Sequence, residues 1–291
     1  MSFERYFLSQ HRGVDSATYD AAAFLERLAR RTTDVEASQR YAAACPLPGV
    51  DPEEYAPKRV ELDGATVAVA GIHFRGRSLD FPFVDISLQS APLSVPESLP
   101  ALLAPFRQFR PRAIRFWHAE GEKLGCESED DIVVVAASLE SLLAAPPLPN
   151  VGRIRLQPDP SLSSYGDYLS TYSADSASPE SRESLAECAA CAAFFRVLVD
   201  DAPAGYIAAR PDTYRWWRGW HMVEEVLYPS FRGQGLAPAM QQAFLRRLDA
   251  RREVAVFGTI SAKNAASLKT ALRVGRRIVE VGTFVPVTTQ P

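Results

Sequence analysis

The chain has 291 residues, which at ~150 residues per domain means about two compact domains. Hydrophobic residues make up 47% and charged residues 23%, the balance of a folded globular protein, which excludes a disordered, collagen-like or disulfide-stapled chain. A net charge of −3 supplies no global basic field for nucleic acid or an anionic membrane, so neither is expected as a partner. The halves differ: residues 1–150 hold 15 basic against 21 acidic side chains, and residues 151–291 hold 17 against 14, so the second half is the better host for an anion.

Four cysteines are too few and too scattered for a disulfide framework. Cys188 and Cys191 form a CxxC within an alanine-rich helical stretch. With no second CxxC or histidine pair to complete a zinc site, they read as packing residues, and no metal is expected. The N-terminus has no apolar signal region, and apolar runs such as Ile132 to Ala137 are far short of the ~20 residues a bilayer span needs. The expected location is cytoplasmic.

In chain order, helical patterning covers Tyr19 to Arg31 and Val35 to Ala44. Strands are expected at Thr66–Phe74 and Phe83–Leu88, a helix at Glu97–Phe109 entered through Ser94 and Pro96, and strands at Ala113–Trp117 and Ile132–Val135. The proline-dense stretch Ala144–Asn150 reads as a stiff connector and sets the expected boundary, giving domains 1–148 and 149–291. Beyond it, Phe194–Val199 reads as a strand, Asp200–Gly205 as a turn and Tyr206–Ala209 as the returning strand. His221–Tyr228 is a further strand. A helix from Leu236 carries Met240, Ala243, Phe244 and Leu248 on one face, with Pro238 in its first turn. Val254–Phe257 is the next strand, Asn264–Val274 a helix ended by Gly275, and Ile278–Val287 the last strands.

The segment Arg232-Gly-Gln-Gly-Leu-Ala237 joins a strand to a helix, with glycines where the backbone must approach something closely. A strand end, a glycine turn and a helix N-terminus present unpaired N–H groups and a positive dipole end, a cradle for a diphosphate. Neither the dinucleotide fingerprint GxGxxG nor the Walker sequence is present.

This segment resembles the acetyl-CoA signature Q/R-x-x-G-x-G/A of the GCN5-related N-acetyltransferases (GNAT). Asn264, Ser267 and Gly275 stand at the spacing that family members show after their fifth strand, and the order of elements from about Val151 to Val287 is the family's. The resemblance implies an α/β (α+β) fold with a mixed central sheet, its fourth and fifth strands splayed and flanked by helices. It also implies direct transfer of an acetyl group from acetyl-CoA, as co-substrate, to the amine of a small metabolite or peptide. The main chain of Val226, Leu227 and Tyr228 would pair with the pantetheine arm, the amides of Arg232, Gly233, Gln234, Gly235, Leu236 and Ala237 would hold the pyrophosphate, and Asn264 and Ser267 would meet the cofactor. The first half repeats strand, strand, helix, strand without the signature, reading as a degenerate GNAT-like or accessory domain in a tandem.

The acceptor amine must be neutral to attack, so a base is expected on the fourth strand. Glu225 is preferred, then Glu224, with His221 third; strict strand alternation lets only one of the two glutamates face the acceptor unless a bulge intervenes. The family's usual Glu position, aligned without a gap, falls on Val223, and Ala271 stands where many members carry a tyrosine acid, leaving another group such as Tyr228 or Tyr214 for that role or the thiolate to leave unaided. Tyr214, Trp216, Trp217 and Trp220 crowd the connection between third and fourth strands and read as a wall of the acceptor site. Two other readings remain open: a non-catalytic acyl-CoA-binding module, and an aminoacyl-tRNA-dependent transferase on a tandem fold, which the acidic first half disfavours. Composition does not choose between a monomer and a homodimer.

Overall fold

A computed structural model describes residues 21–31, 34–62, 66–91, 93–172, 179–249 and 255–287, and divides the chain into two units. Unit 1 comprises residues 21–133 and 279–287, and unit 2 residues 134–278. Tyr19 and Asp20, at the expected start of the first helix, and Val254, at the expected start of a strand, lie outside the described residues. Among the described residues no helix is long and apolar enough to cross a membrane.

Unit 1 opens with α1 (Ala21–Arg31) and α2 (Val35–Ala44), then β1 (Lys58–Glu61), β2 (Val67–Phe74), β3 (Pro82–Gln89), α3 (Val95–Leu103), β4 (Ala113–His118) and the start of β5 (Glu129–Ser138). The expected helix to Phe109 ends at Leu103 and tightens into a 3₁₀ segment over Ala104–Phe109, because Pro105 has no N–H to continue the helical ladder. β1, β2 and β3 pair antiparallel, and β3 pairs parallel with β4 only from Phe83–Ala113 to Asp85–Arg115. Where these two strands part, the Asp85 carboxylate accepts bonds from Arg115 Nε at 2.7 Å and Trp117 Nε1 at 2.9 Å. The fifth strand of this sheet comes from the far end of the chain: β11 (Arg277–Pro286) pairs antiparallel with β4 from Val281–His118 to Pro286–Ala113.

Unit 2 holds α4 (Leu139–Ala144), β6 (Ile154–Pro158), α5 (Tyr165–Ser170), α6 (Arg182–Ala190), β7 (Phe194–Val199), β8 (Ala202–Tyr214), β9 (Trp217–Leu227), α7 (Leu236–Leu245), β10 (Ala255–Ser261) and α8 (Ala265–Val274). Strands β6 to β9 form an antiparallel ladder, and β10 pairs parallel with β9. The turn expected over Asp200–Gly205 is only two residues long. Asp200 and Asp201 both adopt positive φ, the geometry that matches strand twist in a tight hairpin, so β8 begins at Ala202.

The division does not fall at 148/149. The proline stretch belongs to unit 2, because the buried Gln242 on α7 clamps it by two bonds: its Oε1 accepts from Leu148 N at 2.7 Å and its Nε2 donates to Pro146 O at 2.9 Å. Leu139 and Leu142 of α4 are buried in the same core as Leu236, Met240 and Phe244 of α7. A segment with proline composition is thus a packed strap, and the boundaries lie inside β5 and β11.

The entry to α5 is organised by Asp159, which accepts bonds from Ser163 N and Ser164 N, both at 2.9 Å, and from the hydroxyls of Ser164 at 2.6 Å and Ser163 at 2.9 Å. Burial acts to raise its pKa, but the bonds from Ser164 and Ser163 outweigh it and hold the carboxyl at about 2. The ionised form therefore contributes stability that is complete above the unfolded value of 3.8 and is lost as pH falls toward 2. Asp159→Asn is expected to cost about 2 kcal/mol at pH 7. Denaturant unfolding of both proteins at pH 7 and pH 2.5 checks this: the gap must shrink at the lower pH.

Candidate functional site

The parallel pairing of β9 with β10 covers only Gly219–Ala255, Trp220–Val256 and His221–Phe257. Beyond that point the two strands separate, so Met222 to Leu227 has β8 on one side and an opening on the other. Gly219, with φ near +156°, permits the close start: a Cβ there would stand 2.2 Å from Ala255 O.

Strict alternation along β9 would put His221, Val223 and Glu225 on one face. The register slips by one residue, with Ala208 opposite Glu224 and Ala209 opposite Met222, so Val223 is the extra residue of a bulge. Val223 and Glu224 consequently share a face, packing with Val226 and Tyr228 toward α5 and α6, while Trp220, Met222, Glu225 and Leu227 face α7.

Glu224 is buried and accepts bonds from Tyr168 Oη at 2.5 Å, Tyr172 Oη at 2.7 Å and Glu225 N at 2.8 Å. Burial raises its pKa; the three hydrogen bonds oppose that rise without cancelling it. Both phenols are themselves pushed up, first by burial and then by the Glu224 charge, and remain neutral donors. Tyr168 and Tyr172 are the residues that the sequence reading missed; their i, i+4 spacing at the α5 end was the available signal.

Glu225 has a different life. Its carboxylate is bound to Gln241 Nε2 and to Arg276 Nη2 at 3.0 Å, and Arg276 Nη2 also donates to Gln241 Oε1 at 2.8 Å. A carboxylate spent on a buried ion pair is poorly placed to accept a proton, so the order of preference between the glutamates reverses. His221 is held by structure: Nδ1 lies 3.3 Å from Asp212 Oδ2, and its ring stacks on Phe257 at 4.9 Å.

After β9, Arg232 Nε donates to Leu227 O at 2.9 Å and Gln234 Nε2 to Ser230 O at 2.8 Å, folding the loop back on itself. Gly233 and Gly235 take φ of +75° and +71°, and Gly235 is the N-cap of α7. Among the described residues no protein acceptor meets the N–H groups of Gly233, Gln234, Gly235, Leu236 and Ala237. A Cβ at Gly233 would meet nothing within 4 Å, and one at Gly235 only Asn150 Nδ2 at 3.9 Å. The cradle is open and its donors are free, which suits a phosphate-bearing ligand.

Gly233, Gly235, Leu236 and Ala237 border a cavity of about 420 Å³ that also reaches Lys269, Thr270 and Arg273 on α8. A second cavity of about 160 Å³ lies in the strand opening, lined by Glu224, Gly258, Ser261, Asn264 and Arg276. Glu225 and Ser267 line both. Leu227 borders the larger cavity, whereas Val226 and Tyr228 face the α5–α6 core. Asn264 is the N-cap of α8, with Oδ1 accepting from Ser267 N at 3.1 Å, which explains the three-residue spacing of that pair.

The aromatic cluster corrects an expectation. Tyr214 pairs with Trp217 across a two-residue turn at Arg215 and Trp216, so the stretch is a strand hairpin rather than a surface loop. Trp216, Trp217 and Trp220 are buried, and none of the four residues lines either cavity. The expected acids fare no better: Tyr228 Oη donates to Tyr206 Oη at 3.3 Å, and Ala271 is fully buried in α8. Burial holds the Cys188 thiol up at about 12, and the described cysteines are free. Among the described residues no group of three or more His, Cys, Asp or Glu is placed to hold a metal.

Residues 162–275 match the family model described as the acetyltransferase (GNAT) family. A solved GCN5-related N-acetyltransferase from Sphaerobacter thermophilus is similar at 13% identity and a TM-score of 0.54, covering 95% of this chain and 100% of that chain. An acetyltransferase from the GNAT family of Colwellia psychrerythraea gives 12% identity and a TM-score of 0.56 over 93% of this chain and 98% of that chain. At these identities the likeness is one of fold. No curated protein sequence matches the chain.

Proposed function

From the premise that residues 162–275 form a GNAT domain, a family of acetyltransferases, we propose that unit 2 is an acetyl-CoA-dependent N-acetyltransferase acting on the amine of a small metabolite or peptide. One observation carries the reading: four amides at the head of α7, those of Gly233, Gly235, Leu236 and Ala237, without protein acceptors among the described residues, border a cavity that shares Glu225 and Ser267 with the strand opening beneath Glu224. The amides from Gly233 to Ala237 hold the pyrophosphate, with Lys269 and Arg273 adding positive charge at the same cavity. Leu227 in the opened strand and Asn264 and Ser267 at the head of α8 line the path from that cavity into the opening.

Acetyl-CoA supplies the acetyl group as a thioester. Glu224 is the general base: its raised pKa makes it a better proton acceptor than an ordinary carboxylate, and Tyr168 and Tyr172 fix its orientation. In the transfer the amine nitrogen bonds to the acyl carbon, the C–S bond breaks with its electron pair going to sulfur, and Glu224 takes the amine proton, which then neutralises the thiolate. Unit 1 repeats the antiparallel strands, helix and parallel strand of unit 2, with the glycine-free sequence Gln89–Pro96 at the position of unit 2's glycine loop, and is read as a degenerate copy without a cofactor cradle.

Calorimetry with acetyl-CoA and with CoA tests the reading. Wild type is expected to bind both. Gly235→Trp, which places an indole in the open cradle at a positive φ, is expected to weaken both by about 100-fold or more, about 2.7 kcal/mol, while circular dichroism stays native. Absence of wild-type binding would falsify the proposal.

A further inference from the structure

Arg276 is 3% exposed, yet its guanidinium is only partly satisfied. Nη2 spends its two hydrogens on Glu225 Oε1 and Gln241 Oε1. Among the described residues Nη1 and Nε have no protein acceptor. Leaving buried donors unpaired is costly, so a fold that retains them marks a place where a ligand oxygen belongs. The donors lie in the strand opening: Arg276 lines the smaller cavity and not the larger. A Cβ on residue 258 would come within 3.2 Å of Nη1 and 3.6 Å of Met222 Cβ, so glycine on β10 is what leaves the guanidinium its room.

Resting on the reading of unit 2 as an acyl-CoA enzyme, we infer that Arg276 donates a hydrogen bond to the thioester carbonyl oxygen of the bound acyl group. The charge arrangement favours this oxygen over an acceptor carboxylate or phosphate. Glu225 already neutralises the guanidinium, and Glu224 lines the same cavity, so a further full anion would sit beside two acidic side chains. A carbonyl oxygen enters neutral and gains negative charge only as the amine attacks, when a preorganised donor in a site shielded from water counts most. The two halves of the reaction then fall to opposite faces of one strand. Glu224 takes the proton, and Glu225 holds the arginine that polarises the carbonyl, making Glu225 a positioning residue.

The test uses the full chain carrying Glu224→Gln, so that acetyl-CoA persists when bound, and reads the infrared stretch of a ¹³C-labelled acetyl carbonyl. With Arg276 present the band is expected to shift to lower frequency on binding; with Arg276→Met the shift is expected to vanish. Calorimetry supplies a second readout: wild type should prefer acetyl-CoA over S-ethyl-CoA, which lacks the carbonyl, by about 5-fold or more, and Arg276→Met should abolish that preference while CoA itself still binds. If Arg276→Met fails to fold because Glu225 is left buried without its partner, the neutral pair Glu225→Gln with Arg276→Met replaces it. An unchanged carbonyl band, or an unchanged acetyl-to-ethyl preference, overturns the inference. Loss of CoA binding in wild type would instead sink the acyl-CoA reading on which it rests.

Discussion

Glu224→Gln is expected to lower kcat by about 10²- to 10⁴-fold while acetyl-CoA binding stays within a factor of two, because the substitution removes a proton acceptor that touches no part of the phosphate cradle. The two glutamates can be told apart by their profiles. Glu225→Gln disturbs an ion pair and a neighbouring arginine, so its smaller loss should come with no change in the pKa that governs the acid limb. Tyr172→Phe should move that limb. Its hydroxyl favours the charged form of Glu224, so removing it raises the carboxyl's pKa further, and kcat/KM must climb at higher pH than in wild type. Steady-state rates from pH 5 to 9 across an amine panel decide the matter. If Glu224→Gln turns over like wild type, the base lies elsewhere.

Removal of residues 279–291 is the second large effect. The segment supplies the partner of β4 on the side away from β3, and Val279, Val281, Phe284 and Val285 within it are each at most 5% exposed. At about 1.5–3 kcal/mol for each buried side chain, their loss amounts to about 6–12 kcal/mol, comparable with the whole stability of an ordinary domain. The truncated chain is expected to lose amide protection throughout β3 and β4. Hydrogen exchange reads this directly, and native protection of Ile114 and Phe116 would show that unit 1 does not need its last strand.

What the sequence revealed was local. Glycines at 233 and 235, Pro238 in the first turn of α7, and the Asn264 and Gly275 caps of α8 act on their own backbone, so their spacing carries their structure. The surroundings of the two glutamates were not legible because the face each takes depends on pairing with another strand. Nothing in Met222-Val-Glu-Glu225 announces which residue will lack a partner on β8. Tyr168 and Tyr172 were missed for the same reason, since they reach Glu224 across more than fifty residues. The proline stretch misled because stiffness is readable from composition, whereas the Gln242 amide that straps it down is almost a hundred residues away. The tryptophans misled in the opposite direction: apolar bulk near an expected cleft was read as a ligand surface, and the hairpin instead turned it inward.

The unpaired residue at Val223 makes the division of labour between two chemically identical side chains a matter of counting. Deleting that single codon would restore regular alternation and leave Glu224 toward the tyrosines and Glu225 toward the arginine, whereas closing the bulge with Val223 taken into the ladder would exchange their faces. The bulged and the regular strand would carry the same residues and opposite wiring. A gap-free alignment with a strand one residue shorter would set the tyrosine-bound glutamate against the arginine-bound one, and a mutational scan scored by residue type alone would not tell them apart. Here the frame of the strand, more than the identity of its acids, is the heritable part of the active site.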